Sequence, residues 1–217
     1  MPESINLRKE LYIFISFFAL ITIIVYLLLN GGAFWKQVRY YIFLNSPWVS
    51  ADLKEGKILD IKNTDVSLLN TGNYKLIIPK LQIDAPIIAS KGESLKNILA
   101  ALEDGVGLYP GSDPIGEKGR SIILGHSSKA SWYRGEYATV FAVLDKLDAG
   151  DEFYVVRAGQ KYTYKVFEKL LLEPRDANIL FNKKTDVSEL DLITCWPLGS
   201  ASKRKIIRAQ LITESSI

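Results

Sequence analysis

The run from Leu11 to Leu29 constrains this chain more than any other stretch: 19 residues without a charge, broken only by Ser16 and Thr22. As a helix rising about 1.5 Å per residue it spans about 29 Å, close to the roughly 30 Å hydrocarbon core of a bilayer. A cleaved signal peptide is the competing reading, and Gly31-Gly32-Ala33 is a tolerable small-residue site for it. Such a peptide has an apolar region of only about 7–15 residues, so the length favours an uncleaved signal anchor. The flanking cations do not orient it, because Arg8 and Lys9 precede the run while Lys36 and Arg39 follow it.

The anchor divides the chain into a tail (1–10), a transmembrane segment (11–29), a juxtamembrane segment and linker (30–72), and a body (73–217). Residues 34–48 mix aromatic rings with two cations, a composition that suits the headgroup layer. A plain continuation of the helix explains the same stretch equally well. Residues 49–72 are polar without a sustained period and read as a linker or short stalk. The body of 145 residues is long enough to bury about 70% of its unfolded surface in a core of its own.

That body reads mainly as short strands. Tyr74–Ile78, Ala85–Ile88, Arg120–Leu124, Glu152–Arg157, Tyr162–Leu171, Leu190–Cys195 and Lys203–Ile212 are apolar or β-branched runs bounded by turn residues. Leu95, Ile98, Leu99 and Leu102 recur at helical spacing, with Ser94 as N-cap and Gly105 just past the end. A second short helix is expected around Thr139–Leu147. Many short strands with few helices argue a closed barrel or a sandwich.

Composition excludes several classes. A net charge of +3, without a dense basic stripe interleaved with aromatics, speaks against nucleic-acid binding. One cysteine rules out an internal disulfide and a Cys-rich zinc site. One histidine rules out multi-histidine metal sites, though not an all-oxygen calcium site.

The lone cysteine closes the run Leu190-Asp191-Leu192-Ile193-Thr194-Cys195-Trp196-Pro197. Pro197 cannot donate to a ladder, so Cys195 stands at a strand end, where a side chain can meet solvent. After a turn-like connection, Lys203-Arg204-Lys205-Ile206-Ile207-Arg208 reads as the return strand, bringing a guanidinium to face the thiol across a hairpin mouth. His126 follows Ser121-Ile122-Ile123-Leu124-Gly125 and also stands where a buried strand emerges. Singly, a Cys or a His is most often structural. Together they suit nucleophilic catalysis, because a neighbouring imidazolium or arginine favours the thiolate and a guanidinium stabilises the oxyanion that follows attack on a carbonyl. Arg204 fits that second role. Arg208 is its rival, since 204, 206 and 208 share a strand face.

These residues carry a resemblance to the sortases, membrane-anchored cysteine transpeptidases that attach surface proteins to cell walls or polymerise pilins. The family signature Thr-Leu-x-Thr-Cys appears as Asp191-Leu192-Ile193-Thr194-Cys195, with Asp in place of the first Thr. The family's arginine falls on Arg204, nine residues after the cysteine, and its histidine on His126 in Leu124-Gly125-His126-Ser127. The match continues through Leu76–Leu81, Gly107–Ser112, and the stretch from Tyr133-Arg134-Gly135 to Gly150-Asp151-Glu152-Phe153.

The resemblance implies a mainly β fold: a closed eight-stranded sortase-type barrel with one or two short helices, preceded by the transmembrane helix. It also implies a cytoplasmic N-terminus, a single membrane pass and a catalytic body outside the cell. The implied substrates are surface proteins with a Leu-Pro-x-Thr-Gly-like sorting motif, and the implied acceptor is an amine, from a cell-wall precursor or a pilin lysine. In that chemistry Cys195 attacks, His126 moves protons, Arg204 holds the carbonyl or oxyanion, and Thr194 supports the site. No cofactor or metal is required. Calcium, bound in one class, would draw on Glu173, Asp176, Asp186 and Glu189. The connection from Trp196 to Lys203 has no room for the long insertion of some classes, and Ser46-Pro47-Trp48 lacks the Asp of the Asp-Pro-aromatic lid.

Two other functions compete. An L,D-transpeptidase places its His two residues before its Cys, whereas here they lie 69 apart. A non-catalytic, membrane-tethered scaffold or adhesion module of the same fold would be favoured by loss of His126, Cys195 or Arg204, and all are present.

Overall fold

Alternating apolar residues along six strands point every second side chain into one shared interior. Leu76 and Ile78, Ala85 and Ile87, Phe153 and Val155, Tyr164 and Val166, Leu190 and Leu192, and Ile207 and Ala209 all belong to the main core. The computed structural model describes residues 7–45, 74–128, 135–176 and 185–216. The expected linker over 49–72 and Ser46-Pro47-Trp48 lie outside the described residues.

The strands are β1 (Lys75–Ile78), β2 (Ile83–Ala89), β3 (Val106–Leu108), β4 (Gly119–Leu124), β5 (Glu152–Arg157), β6 (Gln160–Leu172), β7 (Ser188–Trp196) and β8 (Lys203–Ser216). They close into a barrel in the order β1-β2-β3-β4-β7-β8-β6-β5. Closure pairs every strand edge, which leaves no open ladder to aggregate. Pairs β2–β3 and β4–β7 are parallel and the others antiparallel. The barrel is therefore borne out over the sandwich. Only β3 was absent from the sequence reading, and at three residues it is too short to show a period.

Two helices were expected in the body. The first, α2 (Leu95–Ala101), forms as read, with the Ser94 hydroxyl accepting from the Asn97 N–H. Its apolar stripe is less buried than the spacing suggested: Leu95 is 70% exposed and Leu99 41%. The second forms only as a short 3-10 helix, Leu144–Lys146, and not as an α-helix over Thr139–Leu147. Residues 135–147 make successive turns in which Ala138, Val140, Ala142, Leu144, Lys146 and Leu147 each donate to the carbonyl three residues back. An α-helix needs the fourth residue back. Here the Phe141 N–H donates instead to the His126 carbonyl, at 2.9 Å, so the backbone is committed elsewhere.

The N-terminal helix α1 runs unbroken from Leu7 to Leu44. Its segment Arg8–Leu29 is long and apolar enough to cross a bilayer, and none of it is buried against the barrel. Beyond it the helix does more than continue into the headgroup layer: it docks on the barrel. Ala33 and Tyr40 are buried and Tyr40 joins the main core, while Phe34 and Ile42 stay exposed. Helix and barrel come close at Gly32, where an added Cβ would lie in ordinary contact with the Thr139 methyl.

Candidate active site

The outer face of β4, β7, β8 and β6 carries the predicted residues, and the register arranges them in rows. Leu190 and Leu192 point inward, so Asp191, Ile193 and Cys195 point outward. Ile193 and Ile206 pack with Ile122 in a cluster separate from the main core, against Leu124, Leu170, Leu172 and Tyr109. This outer cluster is the floor of the site.

One row beyond that floor, Cys195 stands directly opposite Arg204, which in turn pairs with Leu172 of β6. Directly opposed residues on one face of an antiparallel pair hold their Cβ atoms about 4.5–5.5 Å apart. On the other flank, the parallel β4–β7 ladder pairs Leu124 with Ile193 and continues through Gly125 N–H to Ile193 O at 3.0 Å. His126 follows two residues past Leu124, just beyond the end of that ladder. The Cys195 thiol is half-buried, and so is His126, whose Nε2 is shielded from solvent. Cys195 and Arg204 thus share a row at the ends of β7 and β8, and His126 follows the end of the neighbouring strand β4.

Each neighbour of that row is tied down. Thr194 points inward and is buried, and its hydroxyl donates to the Gly125 carbonyl at 2.8 Å, tying the strand end that bears Cys195 to the one that leads into His126. The Gly199 N–H donates to the Ser128 hydroxyl, joining the β7–β8 loop to the segment after His126. Arg204 Nη1 donates to the Ala201 and Lys203 carbonyls at 2.9 and 3.1 Å, which steadies the guanidinium at the mouth. A guanidinium has five N–H donors, more than these two bonds consume. Sequence reasoning passed over Ser128 and Phe141, which carry no signal of their own.

Gly125 is a position where only the smallest side chain fits, because an added Cβ would overlap the buried Phe141 ring. Gly125→Ala is expected to lower stability by about 1–3 kcal/mol, the usual cost of overpacking. It should also slow chemistry by displacing His126. Thermal unfolding beside a peptide-cleavage assay checks this, and a variant with unchanged melting and rate would contradict it.

Arg204 and Arg208 differ in what lies opposite each. Arg208 pairs across the ladder with Asp191, which is fully buried. Its Nε and Nη2 grip the two Asp191 oxygens at 2.9 and 3.1 Å, and its Nη1 reaches Glu168 at 2.9 Å. Arg120 lies 3.8 Å from Asp191 and is bound to Glu189. Arg208 is therefore held in a buried ion network two rows away from the thiol. The first residue of the signature, Asp191, anchors that network.

The acidic residues considered for calcium do not form a cage. Glu189 is engaged by Arg120, and Glu173, Asp176 and Asp186 are exposed. Among the described residues no three His, Cys, Asp or Glu side chains stand close enough to hold a metal ion.

Comparison with known proteins agrees with this fold. Residues 76–212 match the family model of the sortase domain. Sortase D of Bacillus subtilis is 29% identical over 141 residues, covering 64% of this chain and 63% of that protein's length. The chain thus spans less than two thirds of that relative. Sortase C-3 of Streptococcus pneumoniae superposes with a TM-score of 0.56 at 20% identity, over 86% of this chain and 85% of the other, a likeness of fold. A Sortase D5 transpeptidase of Clostridium perfringens gives a TM-score of 0.52 at 26% identity, over 81% and 94%. The family model covers nearly the whole barrel, and the chain belongs to the sortase family.

Proposed function

We propose that this protein is a membrane-anchored cysteine transpeptidase that cleaves a Leu-Pro-x-Thr-Gly-like sorting motif and passes the acyl group to an amine. The observation that carries the reading is the direct cross-strand pairing of Cys195 with Arg204, with His126 two residues past the end of the adjoining strand β4.

The Cys195 thiolate attacks the carbonyl of the motif's penultimate residue, and the electron pair of the C=O bond moves onto oxygen. Arg204 meets that oxyanion with charge-assisted hydrogen bonds. As the C–N bond breaks, the His126 imidazolium gives its proton to the leaving amine, and a thioester on Cys195 remains. The incoming amine loses a proton to His126, attacks the thioester carbonyl and expels the thiolate, which restores the starting state. Thr194 acts on this centre only by holding Gly125. The substrates are surface proteins bearing the motif, the acceptor is a cell-wall amine or a pilin lysine, and α1 holds the barrel at the outer face of the cell membrane.

The test is mass spectrometry of the full chain in detergent micelles, mixed with a library of Leu-Pro-x-Thr-Gly-like peptides. The expected result is an adduct on Cys195 that hydroxylamine releases and that His126→Ala does not form. If the folded protein forms no adduct and its thiol alkylates only as slowly as a buried one, the scaffold reading replaces this one.

A further inference from the structure

The turn segment over 135–147 has two contacts that face opposite ways. Toward the site, the Phe141 N–H donates to the His126 carbonyl, and the Phe141 ring lies against Gly125. Toward the membrane anchor, Lys36 Nζ donates to the Val140 carbonyl at 2.9 Å and Gln37 Nε2 to the Ala142 carbonyl at 3.4 Å. The residues on either side of Phe141 are therefore gripped by α1, while Phe141 itself holds His126.

We propose that the juxtamembrane part of α1 is a positioning element of the active site, in which Lys36 and Gln37 fix Val140 and Ala142 so that Phe141 holds His126 in register with Cys195. The role given to His126 rests on the transpeptidase reading above. Attachment alone would not need these bonds, because Ala33 and Tyr40 already supply an apolar dock. The two polar side chains add direction: both reach backbone carbonyls of one three-residue stretch, and carbonyls fix where a chain lies in a way that apolar contact does not. Lys36 also gives up hydration to be there. Burial, with the neighbouring Arg39 adding to it, brings its ammonium down to about 8, and Glu136 and Tyr40 line the same cleft between helix and barrel. A cation kept at such a site is held by what it bonds.

The chain has one histidine and one cysteine, so both reporters of the site are unambiguous. The experiment uses the full chain in lipid nanodiscs with 13C-labelled histidine. Kinetics with a sorting-motif peptide, the imidazole Cε1–H signal and Cys195 alkylation are read in parallel. The double variant Lys36→Met with Gln37→Ala is expected to lose roughly tenfold to a hundredfold in kcat with KM unchanged, the scale of a catalytic group displaced by about 1 Å. Its histidine signal should shift or split, and its thiol should alkylate more slowly. Lys36→Arg keeps a donor and should recover most of the rate, and Phe34→Ala, on the exposed face of the same helix, should change nothing. A folded double variant with native kcat and an unmoved histidine signal would overturn the proposal. Should the double variant fail to fold, Gln37→Ala alone is expected to move the histidine signal, and an unmoved signal there overturns it equally. If the wild-type chain acylates with no peptide, the transpeptidase reading fails, while the histidine signal still decides whether α1 positions that residue.

Discussion

Cys195→Ala is expected to remove acyl transfer and leave the melting temperature where it was. The side chain is half-buried at the last row of β7, so trimming sulfur to hydrogen costs little packing. The loss of chemistry is complete in kind, because no other thiol exists to carry the acyl group. Removing the nucleophile of a catalytic constellation lowers rates by roughly 10⁴–10⁶-fold, with the residue owed to binding and oxyanion contacts. The arginines make the contrast sharp. Arg204→Ala should cost roughly 10²–10³-fold in kcat, the worth of an oxyanion donor, with an unchanged fold. Arg208→Ala should instead lower the melting temperature, because its guanidinium neutralises buried Asp191. Rates and melting curves for the three variants check both halves. An Arg208 variant that is stable but inactive, or an Arg204 variant that is active but unstable, would reverse the assignment.

Much of this site was legible in the sequence because β-structure advertises itself. Leu190, Leu192 and Pro197 fix which residues point inward and where the strand stops, and that alone puts Cys195 on an outward face at a strand end. The choice between Arg204 and Arg208 was harder, since both share a face of β8. It follows from register, not from residue type: once 197–202 is the turn, Cys195 falls opposite Arg204 and Asp191 opposite Arg208. An acid opposite an arginine reads as a structural pair, and that signal was available. The other misses have no local signature. The turns over 135–147 have helix-compatible residues, and only a distant carbonyl, that of His126, takes the N–H that a helix would need. Docking of α1 was equally hidden, because the aromatic and cationic side chains that suit a headgroup layer suit a protein surface as well.

Asp191→Thr restores the residue that the family signature has at this position, and it should nevertheless destabilise the protein. Asp191 is fully buried and accepts from Arg208 through both oxygens, with Arg120 close by. Breaking a buried ion pair by removing one partner costs about 3–5 kcal/mol, because the remaining charge has lost both water and its counter-ion. The lower end applies here, since Arg208 keeps Glu168 and Arg120 keeps Glu189. About 3 kcal/mol corresponds to a fall of roughly 6–12 °C in Tm for a body of this size. The double variant Asp191→Leu with Arg208→Met should recover most of that loss, because replacing both members of a buried pair by apolar side chains of similar volume is often neutral or stabilising. Thermal unfolding of the full chain in one detergent decides it. A single variant that melts within about a degree of wild type would mean that the network contributes no net stability. Recovery in the double variant would instead show that the cost of Asp191→Thr comes from the stranded cation, Arg208, and not from the loss of the carboxylate itself.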